Sequence, residues 1–206
     1  MIDNIIKLGA LLIAAMIVMI LHELPKSMAY IYLNPLQRMQ NNNSIYKLRQ
    51  YIDPIGLIFF VTARVGFSKP FAYRISDKKT NMSLGVVGLA SSLCFALIFY
   101  SLYRALFEHI NIYRFFNSSE WMLGIYNFIK YIFINIVMFN ISIFLVNLVM
   151  PLVSFDISYI IASKSPRRYF VLHQYEKMLQ LLFIILVVFN FFNIILGPIE
   201  SFLFLK

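Results

Sequence analysis

The sequence predicts an all-α polytopic membrane protein of about four transmembrane helices plus one re-entrant or interfacial segment. Three observations carry this. Of 206 residues, 61% are hydrophobic and 13% charged, with a mean hydropathy of +0.77, far from the balance of a soluble domain. The apolar residues fall in runs long enough to cross a hydrocarbon core of about 30 Å as helices. The basic residues behind the formal charge of +9 lie between those runs and favour alternate loops, the pattern of topology signals. No hydrophilic block is long enough for a second domain, so residues 1–206 are expected to form one membrane domain.

The first crossing is expected from about Asn4 to Leu21, with Pro25 kinking its continuation toward Tyr32. It continues through His22 without a small-residue cleavage site and does not read as a cleavable signal peptide. Between Asn34 and Lys79 the composition turns polar and basic, with a Gln40-Asn41-Asn42-Asn43-Ser44 cluster. Within it Leu57 to Val61 is apolar but too short to span, which predicts the re-entrant or interfacial piece, flanked by short extended segments. The second crossing runs from about Met82 to Tyr103 and opens on Gly85, Gly88, Ala90, Ser91 and Ser92, small residues that let helices approach closely. A polar segment, Glu108 to Glu120, leads to Trp121 as an interface anchor. The third crossing lies within Ile125 to Met150 and carries Asn140 and Asn147 on one face; Pro151 ends it. A short apolar stretch, Leu152 to Ala162, contains Asp156. The fourth crossing is expected from about Met178 to Leu196 or beyond, with Gly197-Pro198 bending its end.

Loop charges set an orientation. Arg38, Lys47, Arg49, Arg64, Lys69, Arg74, Lys78 and Lys79 lie between the first two crossings, and Lys164, Arg167, Arg168 and Lys177 precede the fourth. The segment Leu106 to Glu120 has only Arg114. The basic loops are therefore expected in the cytoplasm, which puts His22, Glu23 and Asp156 near cytoplasmic ends of crossings. The dispersal of the charge argues against nucleic acid as a partner. Cys94 is the sole cysteine, which excludes an internal disulfide and a cysteine metal cluster.

The first run ends on Leu21-His22-Glu23-Leu24-Pro25-Lys26, one residue short of an HExxH zinc motif. In that motif two histidines four residues apart hold the metal and the glutamate is general base on its water. Here the second histidine is Lys26, whose ammonium has no lone pair to give. Two readings of Lys26 stay open: its ammonium takes the place of the metal, pairing with Asp156, Glu23 or both, or it snorkels to the headgroups.

Further motifs follow in order. Leu33-Asn34-Pro35-Leu36, Asp53-Pro54-Ile55-Gly56, Gly66-Phe67-Ser68-Lys69-Pro70, Leu89-Ala90-Ser91-Ser92-Leu93 and the segment Asn147 to Ile157 together resemble the site-2 protease family of intramembrane zinc metalloproteases, in particular its small bacterial members. The resemblance covers most of the chain. It departs from the family at Lys26, at Phe95 where the family has asparagine, and at Val153, Ser154 and Ile157 in place of two prolines and a glycine.

The resemblance implies a site-2-protease-like core in a bacterial plasma membrane, with His22 and Asp156 as the metal ligands if a metal is bound, Glu23 as base, Lys26 in place of the ligand histidine, and Asn147 orienting a substrate peptide. With two ligands left, zinc is expected only in an active enzyme, and a catalytic zinc normally takes three. The expected function is a pseudoprotease that binds membrane-embedded segments of other proteins within the lipid bilayer. The alternative is an active zinc protease with a surrogate third ligand, for which His173 lies on the correct side and His109 on the wrong one, or with a lysine neutralised by desolvation. A small transporter or channel component is the more distant alternative. Lys69 and Arg74 are read as topology charges rather than substrate-steering groups.

Overall fold

The computed structural model describes residues 2–35, 45–71, 73, 77–110, 113–116 and 120–204. The Gln40 to Ser44 cluster and Leu36, Arg38, Arg74 and the side chain of Arg114 lie outside what it describes. The described residues form helices joined by turns and irregular chain, with no strand among them.

Three helices are long and apolar enough to cross a membrane: α1 (Ile2–Leu33), α3 (Lys78–Tyr103, continuing as a π-helical turn, Arg104–His109) and α5 (Glu120–Val149). Between them lie α2 (Pro54–Ala63) and a short α4 (Tyr113–Phe116). After α5 come α6 (Asp156–Lys164), α7 (Pro166–Gln174), α8 (Glu176–Val188) and α9 (Phe191–Phe204).

One boundary differs from expectation. The helix of α1 runs through Pro25 to Leu33, and in the turn after the proline the Ser27 hydroxyl donates to the Glu23 carbonyl at 3.0 Å. The fourth crossing is not one helix. The chain breaks after α8 at Phe189 and Asn190, where Asn190 takes a left-handed φ of 55°, a conformation that a short polar side chain tolerates. Its carbonyl accepts from Asn193 N at 3.0 Å and starts α9, which contains Gly197 and Pro198 instead of ending on them. On the other side α8 meets α7 at 70°, so this region is a fourth span only if that bent pair is counted as one.

Small residues set the packing. Ala10, Ala14, Ala15 and Val18 of α1 are completely buried, the last three against Ile136, Phe139 and Ile143 of α5. On α3, a Cβ at Gly85 would come within 2.5 Å of the Asp156 carbonyl, and one at Gly88 would overlap the Asp156 carboxyl. The two glycines let α6 lie directly on α3.

The short apolar piece between the first two long helices is α2. Asp53 caps it, its Oδ1 accepting from Ile55 N at 2.8 Å and Gly56 N at 3.0 Å, with Pro54 in the first turn where its missing N–H costs nothing. The helix turns into the bundle: Phe60 meets Phe139 in a tilted ring contact at 4.6 Å between centroids, and Ala63 packs in the cluster with Met138. Arg64 ends it in a left-handed cap, φ 57°. The extended segments expected beside it are irregular chain from 65 to 71, tied to the preceding turn by Lys69 N to the Tyr51 carbonyl at 3.0 Å.

Candidate functional site

The C-terminal third of α1, the start of α3, the end of α5 and the start of α6 meet at one end of the bundle. Asn34 Nδ2 reaches Thr80 Oγ1 at 3.4 Å there, and Asn147 Oδ1 accepts from Asp156 N at 3.2 Å. Between these elements His22, Glu23, Lys26 and Asp156 form one cluster, each at most 2% exposed.

Lys26 is its centre. Its Nζ lies 2.8 Å from Asp156 Oδ1 and 3.0 Å from Glu23 Oε1, and 5.7 Å from the centroid of the Tyr159 ring. The side chain is wholly buried, so it does not snorkel. Glu23 has two further partners: the Ser68 hydroxyl donates to Oε1 at 2.9 Å, and the Tyr73 hydroxyl to Oε2 at 3.4 Å. Asp156 lies outside the three long helices. Burial pushes its carboxyl up to about 6, with the Lys26 ammonium pulling the other way.

His22 faces the same carboxylates from the other side, its Nε2 3.5 Å from Asp156 Oδ2 and 3.7 Å from Glu23 Oε1. Its Nδ1 lies 2.8 Å from the Ser92 hydroxyl, which is also 3.1 Å from the Gly88 carbonyl, and Nε2 is the nitrogen aimed at the carboxylates.

This donor set does not suit a catalytic zinc. His22 Nε2 and Asp156 offer two of the three protein ligands such a site takes. The third corner is an ammonium without a lone pair, already in ion-pair contact with Asp156. Among the described residues no group of three or more His, Cys, Asp or Glu side chains is arranged to hold a metal. His173 offers no third ligand: it is on the exposed face of α7, paired with Glu176 at 3.2 Å. His109 closes the π-helical turn at the far end of α3. No family model, curated protein or solved structure matches this chain.

Asn147 has both polar atoms engaged within the chain, Oδ1 by Asp156 N and Nδ2 by the Ile143 carbonyl at 3.0 Å. What it orients here is the first turn of α6, and with it the Asp156 carboxylate. Lys69 is exposed on the irregular chain.

Sequence reasoning missed four contributors. Ser68 lies in the Gly66 to Pro70 element and Ser92 in the small-residue opening of α3, where each reads as packing until its partner is known. Tyr73 and Tyr159 stack edge to face at 6.1 Å and wall off the Lys26 side. Tyr159 was findable, since it is one helical turn from Asp156 and so shares its face.

Beside the cluster, α2, the irregular chain and α8 enclose a cavity of about 290 Å³ lined by Ile55, Phe59, Phe67, Phe155 and Phe183, with Ser154, Glu176 and Gln180 as its polar groups. Phe67 and Phe155, which line it, are the chain neighbours of Ser68 and Asp156.

Proposed function

We propose that this chain is a site-2-protease-like membrane protein in which the Lys26 ammonium stands where the metal would be, and that it binds membrane-embedded segments of other proteins without hydrolysing them. The observation that carries this is the double contact of the buried Lys26 Nζ with Asp156 and Glu23. An ammonium so placed neutralises carboxylates that would otherwise be costly inside a membrane. It also holds Glu23 in a network with Ser68 and Tyr73, whereas a general base must be free to reach the proton it takes. The aromatic cavity beside the cluster is suited to apolar side chains of a bound segment.

Metal analysis of the purified chain tests the central claim. The wild type is expected to carry no stoichiometric zinc, and Lys26→His to carry about one per chain, since it restores a third ligand. Stoichiometric zinc in the wild type, lost in His22→Ala, overturns the reading in favour of a working protease. A photo-crosslinking side chain at Phe59 reads the second claim: adducts with membrane-embedded segments of intact proteins support it, and adducts with lipid alone oppose it.

A further inference from the structure

The opposite end of α3 holds a second polar site. Arg104, Glu108 and Lys130 line a cavity of about 260 Å³ with Tyr103, Phe107 and Phe204. Arg104 is twelve positions beyond Ser92, roughly 18 Å along the helix from the Lys26 cluster. Nothing in the proposed function uses it.

Its charges do not balance. The Arg104 guanidinium is paired with Glu108 one turn on, and also donates to the Tyr100 hydroxyl at 3.3 Å. Lys130 is a half-buried residue of α5 inside the apolar run from Ile125 to Met150, and among the described residues no carboxylate pairs with it. The cavity therefore carries one positive charge that none of its own carboxylates matches. The π-helical turn Arg104–His109, which bears both members of the Arg104–Glu108 pair, is the geometry that gathers at functional sites. The remaining wall is aromatic: Tyr103 stacks on Phe107 at 5.3 Å and meets Phe204 edge to face at 5.0 Å.

We infer that this cavity binds a phosphate ester, its oxygens taken by Lys130 and Arg104 and its apolar part laid on the Tyr103, Phe107 and Phe204 rings. An anion supplies the missing charge, and a phosphate has oxygens enough for an ammonium and a guanidinium together. Glu108 competes with it for Arg104.

The test measures binding to the full-length chain, purified and delipidated in neutral detergent, of a short-chain phosphatidylglycerol and, separately, of inorganic phosphate. The lipid is expected to bind, with Lys130→Met weakening it about tenfold, the loss of one charge-assisted contact. Lys130→Arg is expected to stay within about threefold of wild type, and Glu108→Gln to bind more tightly. Saturable binding of inorganic phosphate with no binding of the lipid overturns the ester, since a free phosphate has no apolar part for the rings. Equal lipid affinity in wild type, Lys130→Met and Glu108→Gln, all with unchanged thermal unfolding, overturns it. If Lys130→Met fails to fold, Glu108→Gln decides: unchanged or weaker binding there overturns the inference.

Discussion

Lys26 on α1 and Asp156 at the start of α6 meet at 2.8 Å with both side chains completely buried. The contact joins the first long helix to a short one that follows the third. An ammonium between two carboxylates fixes where α6 sits more than it lowers the energy of the fold, because taking such charges out of water costs about what their attraction returns.

The pair therefore predicts non-additivity. Lys26→Met alone leaves two carboxylates facing each other and is expected to cost about 3–5 kcal/mol, the range for breaking a buried pair. Adding Asp156→Leu is expected to restore most of that. Unfolding of the two single variants and the double in detergent micelles measures the coupling, and additive losses would mean that the ion pair does not organise this contact.

Gly88 makes a steric prediction about the same place. A Cβ there overlaps the Asp156 carboxyl, so Gly88→Ala has to displace α6 or the cluster and is expected to cost about 1–3 kcal/mol. Gly197→Ala is the control, since a Cβ there meets nothing within 4 Å and sits in a helix. It is expected to be neutral or to stabilise by up to about 1 kcal/mol. Similar losses at the two sites would show that the close approach of α3 and α6 is not what Gly88 provides.

The long helices were legible because eighteen or more apolar residues in a row have few other fates. The meeting of His22, Glu23 and Asp156 was also within reach, since the predicted topology puts all three near the same side of the membrane. What could not be read was anything depending on a single rotamer or dihedral. Ser92 looks like one more small residue until His22 is found against it. The break near Asn190 was missed because Gly197-Pro198 is the louder local signal, while a left-handed asparagine in an apolar run leaves no composition change. Burial of Lys26 was undecidable from the chain alone, since a lysine near a helix end snorkels as readily as it pairs.

Ser92 predicts a loss specific to one hydrogen bond. Ser92→Ala removes the hydroxyl that pairs with His22 Nδ1 in a site without exposed surface and is expected to cost about 1–3 kcal/mol. Ser91→Ala, one position earlier, deletes a hydroxyl that only back-bonds to the Gly88 carbonyl at 2.9 Å, so a change within about 0.5 kcal/mol is expected. Thermal unfolding of the two variants separates them, and Ser92→Thr, which keeps the hydroxyl, should recover part of the loss. Equal effects of Ser91→Ala and Ser92→Ala would contradict a specific role for the Ser92–His22 hydrogen bond.

Asn190 decides whether the last third of the chain is one span or two short helices. Its φ of 55° is open to glycine and asparagine and unfavourable for a β-branched residue by about 1–2 kcal/mol. Asn190→Gly is accordingly expected to keep both stability and the α8–α9 geometry. Asn190→Val can avoid the left-handed conformation only by continuing the helix, which would straighten the join. Spin labels at Leu181 and Ile194, both exposed, report the outcome as a distance. A longer separation in Asn190→Val than in wild type or Asn190→Gly is expected, because straightening moves the two helices apart. An unchanged distance in all three would mean that the packing of α8 and α9 on the bundle sets the break, with Asn190 merely accommodating it.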